Sequence, residues 1–172
     1  MFLQPVAIFT ASLLLSLPVA ASSLAQKTFN DFSKLVGVWQ GDYANGKSHQ
    51  VSYKLTANNT VLVETWTMSA TRESMTLYAL DGDRLIATHY CPQGNQPRLS
   101  LVGKAKAGKY QFHFLDGTNL QDANGTHQHA FWLQLDSANH FSRSETYIKN
   151  SARESTAEDI GETVVYRRLD QK

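Results

Sequence analysis

Glu64 shares a strand face with Leu62, Trp66 and Met68, which places a carboxylate in an otherwise apolar row. If that face turns inward, the charge must be paired or its pKa raised. Arg143, Glu145 and Tyr147 fall on one face with Phe141, while Ser142, Ser144 and Thr146 fall on the other. That row suits an inward polar cluster able to meet a carboxylate or hydroxyl, or else an Arg143–Glu145 pair on a sheet surface. His89 and Cys91 project to one side of their strand and Tyr90 to the other. Just beyond them, Pro92 and Pro97 bracket Gln93-Gly94-Asn95-Gln96 and stiffen the connection at both ends. A stiff polar loop of this kind at a rim holds Asn95, Gln96 and Arg98 over a mouth, or uses them on its own backbone groups. His127-x-His129 has the alternate spacing of two metal-ligating imidazoles, with structural or surface histidines as the alternative, since no third ligand is visible. His89 and Cys91 repeat that spacing with a thiol. As a nucleophile pair they meet poorly across two strand positions, and no third group is identifiable to orient them.

These side chains are carried by a succession of short strands. Alternation places Val51, Tyr53 and Leu55 opposite Ser52 and Lys54, and Tyr110, Phe112 and Phe114 opposite Gln111 and His113. It also groups His127, His129, Phe131, Leu133 and Leu135 against Gln128, Ala130, Trp132 and Gln134. About ten strands are predicted between Val36 and Leu169. Asn45-Gly46, Asn58-Asn59, Asp81-Gly82-Asp83, Asp116-Gly117 and Asn124-Gly125 supply the turn chemistry between them. A short helical turn is predicted at Phe29–Leu35, capped by Asn30 or Asp31, and the polar stretch Ser151–Asp159 reads as a loop or short helix. The resulting fold class is all-β. An antiparallel up-and-down barrel is favoured over a two-sheet sandwich, because tight turns join most neighbours.

The chain has 172 residues, with 16 Lys and Arg against 15 Asp and Glu, a formal charge of +1. That balance gives no electrostatic footprint for nucleic acid. Residues 1–25 have the layout of a secretory signal peptide: a short apolar run, Pro18, then small residues, though no Lys or Arg precedes the run. Ser23-Leu24-Ala25 is the favoured cleavage triplet and Val19-Ala20-Ala21 its competitor. Residues 26–172 then form a single domain, long enough for one core. They contain no second apolar run that could span a bilayer. The single Cys91 cannot form an internal disulfide, so such a domain relies on packing and its sheet ladder. Asn58-Asn59-Thr60 and Asn124-Gly125-Thr126 match the glycosylation sequon and read more simply as bare turns.

Gly37-Val38-Trp39, following a short helical turn, resembles the Gly-x-Trp signature that opens the lipocalins and the wider calycin group. The resemblance implies a barrel whose bottom is closed by a basic side chain from the last strand packed over Trp39. Arg167 and Arg168 are the matching candidates. The chain departs from lipocalins in lacking their disulfide and a clear long helix before the final strand. His89-Tyr90-Cys91-Pro92-Gln93-Gly94-Asn95-Gln96-Pro97-Arg98, together with Glu64-Thr65-Trp66, is similar to a segment of uncharacterised lipocalin-like secreted bacterial proteins. That resemblance implies an exported protein, secreted or periplasmic, and brings no activity with it.

The function expected from these residues is binding of a small, amphipathic molecule in a barrel lumen. Tyr53, Trp66, Phe112, Phe131 and Leu133 would supply wall area, and Glu64, His89, Arg143, Glu145 and Tyr147 would orient a polar end. One alternative is a haem- or metal-binding barrel of nitrobindin-like type, with His89 or His129 as axial ligand. Another is an isomerase or cyclase with Glu64 and His89 as acid and base, and a further one is an interaction module with a filled barrel. No motif calls for a cofactor, and none names a ligand.

Overall fold

A computed structural model describes residues 22–104, 108–151 and 161–169. Most of the expected leader, residues 1–21, lies outside the described residues, as does nearly all of the polar stretch after Ser151. One helix, α1 (Leu24–Ser33), precedes ten strands: β1 (Gly37–Asp42), β2 (Ser48–Thr56), β3 (Val61–Ser69), β4 (Arg72–Asp81), β5 (Arg84–Tyr90), β6 (Gln96–Lys104), β7 (Tyr110–Thr118), β8 (Thr126–Leu135), β9 (His140–Lys149) and β10 (Val164–Arg168). Each strand pairs antiparallel with its sequence neighbour, and β10 returns to β1, closing the barrel. The closed antiparallel ten-strand barrel fits a calycin or lipocalin-like fold. Among the described residues no helix is long and apolar enough to cross a membrane.

Strand alternation decides what turns inward. In β2 His49, Val51 and Tyr53 are buried, and in β3 Leu62, Glu64 and Trp66 are buried. The turn between these strands holds Asn58 and Asn59 at positive φ, the left-handed conformation that asparagine tolerates well. β8 departs from simple alternation. A register shift between Gln128 and Ala130 adds one residue to its pairing with β9, and this resets the phase. Gln128 therefore stands opposite Tyr147, fully buried, and does not share the outward row expected with Trp132 and Gln134.

The helix begins five residues before the predicted turn. Its N-cap is Ser23, whose hydroxyl accepts from the Gln26 amide at 3.2 Å, so neither Asn30 nor Asp31 caps it. Ala25, Thr28, Phe29 and Phe32 form its buried face. Phe32 enters the barrel base, with ring centroids 5.5 Å from Tyr78, 5.3 Å from Tyr110 and 5.9 Å from Phe112.

Closure at this end explains the Gly-x-Trp triplet. Trp39 is opposite Arg168 in register, and the Arg168 guanidinium sits 4.1 Å over the indole. The same guanidinium donates to the carbonyls of Lys34 (2.9 Å), Val36 (2.8 Å) and Ala138 (3.2 Å). The Trp39 indole donates to the Leu35 carbonyl at 2.7 Å. Gly37 has φ +132°, and a Cβ there would lie 2.8 Å from Arg168 Nη1. Arg168 is thus the closing residue of the two candidates, and Arg167 is exposed on the outer face. Arg168→Ala is expected to lower stability by about 2 kcal/mol. Arg167→Ala should stay within about 0.5 kcal/mol of the parent. Equal effects of the two in urea unfolding would remove Arg168 from this role.

The lumen is packed through its middle and is not hollow along its length. Phe112 stacks on Phe131 at 4.5 Å and Phe141 on Tyr166 at 4.4 Å. Tyr53, Phe112, Phe131 and Leu133 are all buried in one continuous core. Open space remains at the end opposite α1, where Tyr43, Met68, Cys91 and Tyr147 gather.

Candidate functional site

Neighbouring registers bring Tyr53, Glu64, Thr76 and His89 into one row across β2 to β5. Glu64 is fully buried. Its Oε1 accepts from the Trp66 indole at 2.5 Å, and its Oε2 accepts from the Tyr78 hydroxyl at 2.7 Å and from Arg143 Nη1 at 2.6 Å. Arg143, 1% exposed, also reaches Glu145 Oε1 from Nη2 at 2.8 Å and lies 4.4 Å over the Phe131 ring. The inward reading of the β9 row therefore holds, and the pair is buried.

Burial alone would raise the Glu64 pKa, but the Arg143 charge and the donors Tyr78 and Trp66 outweigh it and hold the carboxyl below its ordinary value. Glu64 is kept as an acceptor, closed off in the packed middle, which does not suit the acid role that the isomerase reading requires. Tyr53 and Tyr78 are pushed well up by burial and then by the Glu64 charge, so both phenols stay protonated. His89 shares a hydrogen bond with the Thr76 hydroxyl through Nδ1 at 3.0 Å, and burial lowers its pKa, favouring neutral imidazole.

Above this network lie two adjoining cavities of about 220 and about 200 Å³, both lined by Tyr43, Trp66, Glu145 and Tyr147. The first has His89, Cys91 and Ser74 on its wall, with exposed Arg72 at its outer side. The second is lined also by Arg143, Glu162 and Tyr166. His49 stacks on Trp66 at 4.7 Å and shares a 2.9 Å hydrogen bond with the Tyr166 hydroxyl, fixing two aromatic walls together. Gly41 is required here, because a Cβ on it would come within 2.5 Å of the Tyr166 ring.

Of the residues expected from sequence, Trp66, His89, Cys91, Glu145 and Tyr147 meet at this mouth, with Arg143 at its floor. Tyr53 and Phe131 belong to the packed core beneath it, with Glu64. The β5–β6 loop reaches the first cavity through Cys91, Pro92 and Gln93, whereas Asn95 of that loop and Gln96 and Arg98 of β6 are placed elsewhere. Asn95 is buried and donates to the Thr126 carbonyl at 2.8 Å, and Gln96 donates to the Gly94 carbonyl at 2.8 Å. Arg98 points away from the mouth because inward Pro97 and Leu99 flank it, and it forms a bidentate pair with Asp116 on the outer face. His127 and His129 share a hydrogen bond at 3.2 Å and pack on Phe114, and they line neither of the two cavities. Among the described residues no three His, Cys, Asp or Glu side chains gather to hold a metal ion.

Sequence reasoning missed Tyr43, His49, Tyr78 and Tyr166. His49 was readable in phase with Val51 and Tyr53, and Tyr78 in phase with Thr76. Tyr43 follows the last residue of β1, where alternation carries no information. The chain matches no protein-family model and no curated protein.

Proposed function

We propose that the protein is an exported binding barrel that holds one small, partly apolar molecule at its mouth. The observation carrying this reading is the pair of aromatic-walled cavities joined around Glu145, seated on a rigid ion-paired floor. Sites for small molecules are concave and mostly apolar, with a few placed polar groups. Each cavity is small beside the ~300–1,000 Å³ of typical ligand sites, so the ligand belongs at the small end of that range. Export rests on the leader sequence. A cut after Ala21 leaves Ser23 to cap α1 and Ala25 in the core, whereas a cut after Ala25 removes both.

Native mass spectrometry of protein taken from the envelope of its own host tests both parts. The expected spectrum shows a chain without its leader, carrying a non-covalent organic adduct that Tyr147→Ala loses. Tyr147 is half-exposed at the mouth, so this variant spares the core. A chain that retains its leader would overturn export, and adduct-free protein under gentle ionisation would overturn the carrier.

A further inference from the structure

The charge at the mouth says which kind of small molecule fits. Arg143 is the cation at the floor of the second cavity, and it is committed: Glu64 lies at 2.6 Å, Glu145 at 2.8 Å, and Phe131 and Trp66 cover its guanidinium. Its Nε and Nη2 have no hydrogen-bond partner among the described residues, the Nη2–Glu145 approach being a charge contact alone, but at 1% exposure the side chain is closed to an incoming anion. One guanidinium between two carboxylates leaves a negative balance. Glu162, which lines the same cavity and accepts from the Ala44 amide at 2.6 Å, adds to it. Burial holds His49 and His89 towards their neutral forms, so neither imidazole offsets that balance. Exposed Arg72 lines the neighbouring cavity and is not among the residues of this one.

The walls are aromatic. Tyr43, Trp66, Tyr147 and Tyr166 surround the space beside Glu145. The Tyr43 hydroxyl is pushed up by burial and then by Glu145 and Glu162, which places both carboxylate fields at that ring. Aromatic faces with nearby carboxylates attract a desolvated cation through the ring quadrupole and direct charge.

We propose that the mouth takes a small organic cation, an alkylammonium or quaternary ammonium group, seated among Tyr43, Trp66 and Tyr166 with Glu145 and Glu162 as counter-charges. This rests on the carrier reading above and narrows it to a ligand class.

The test uses three probes of similar shape: choline, its uncharged analogue 3,3-dimethylbutan-1-ol, and the anion 3,3-dimethylbutanoate. Each is titrated into the ¹⁵N-labelled protein, and the Trp66 indole resonance, assigned with Trp66→Phe, is followed. Choline is expected to shift that resonance and to bind at least tenfold more tightly than the alcohol, on the order of a partly desolvated cation–aromatic contact plus ion contacts. Glu162→Gln and Glu145→Gln, with otherwise parental spectra, are each expected to weaken choline by roughly three- to tenfold and leave the alcohol unchanged. If the alcohol or the anion binds at Trp66 as tightly as choline, the cation assignment is overturned and the carrier reading stands. If none of the three moves the Trp66 resonance at tens of millimolar, the cation assignment is likewise overturned, and the carrier reading is decided by the native mass spectrum described above.

Discussion

Arg143→Met is expected to destabilise the protein by about 3–5 kcal/mol at neutral pH, because it leaves the Glu64 carboxylate buried without its counter-ion. For a domain of this size, that corresponds to a fall in thermal midpoint of roughly 10 °C or more. The pH dependence should reverse. In the parent protein the folded Glu64 pKa lies below its ordinary value of 4.5. The stability it contributes is therefore present above that value and is lost as pH falls through the folded pKa. Without Arg143, burial dominates and lifts the folded pKa above the unfolded one. The variant then binds a proton on folding, and it should gain stability relative to the parent as pH falls from neutrality towards 5. Urea unfolding at the two pH values measures this. Glu64→Gln combined with Arg143→Met should recover most of the loss, since the buried charge is gone. A single variant as stable as the parent at pH 7, with an unchanged pH slope, would show that the pair does not hold the lumen as described.

Phe32→Ala carries the second large effect, about 3–5 kcal/mol for deletion of a fully enclosed ring. Phe32 is 0% exposed and is the side chain by which α1 enters the barrel base among Tyr78, Tyr110 and Phe112. Its loss opens a void bounded by packed strands, which cannot collapse to fill it. Tyr78 is also a donor to Glu64, so loosening its edge contact with Phe32 is expected to reach the polar network. Denaturant unfolding with near-ultraviolet circular dichroism follows both. A loss below about 1 kcal/mol would mean that α1 merely lies over the base, because a well-packed buried ring does not come away so easily.

The barrel was legible because its signals are local. Alternation marked the strands, Asn and Gly marked the turns, and the first and last strands carried the Trp39 and Arg168 that meet at the seam. Glu64 and Arg143 could be read as inward, each from the apolar residues sharing its row, but their meeting could not. They lie on β3 and β9, 79 positions apart, and are joined across the lumen by side-chain reach. The phase of β8 was illegible for a different reason. An extra residue at Gln128–Ala130 leaves no mark in hydrophobic alternation, yet it turns Gln128 inward. The start of α1 was obscured because Leu24 and Ala25 extend the apolar and small residues of the leader, where only Ser23 signals a helix cap. Arg98 was misplaced because the stiffness of a Pro-bracketed loop says nothing about which way its last side chain turns. The β6 pleat decides that.

The cylinder is completed by its shortest stave. β10 has five residues and is registered through four pairs to β1 on one side and four to β9 on the other. With a single thiol in the chain, no internal covalent cross-link can back up this latch. Everything that keeps its two neighbours, β1 and β9, from presenting raw edges to other polypeptides passes through Val164–Arg168. The wrap of Arg168 over Trp39 is therefore also what guards the molecule against strand-by-strand association with its own copies.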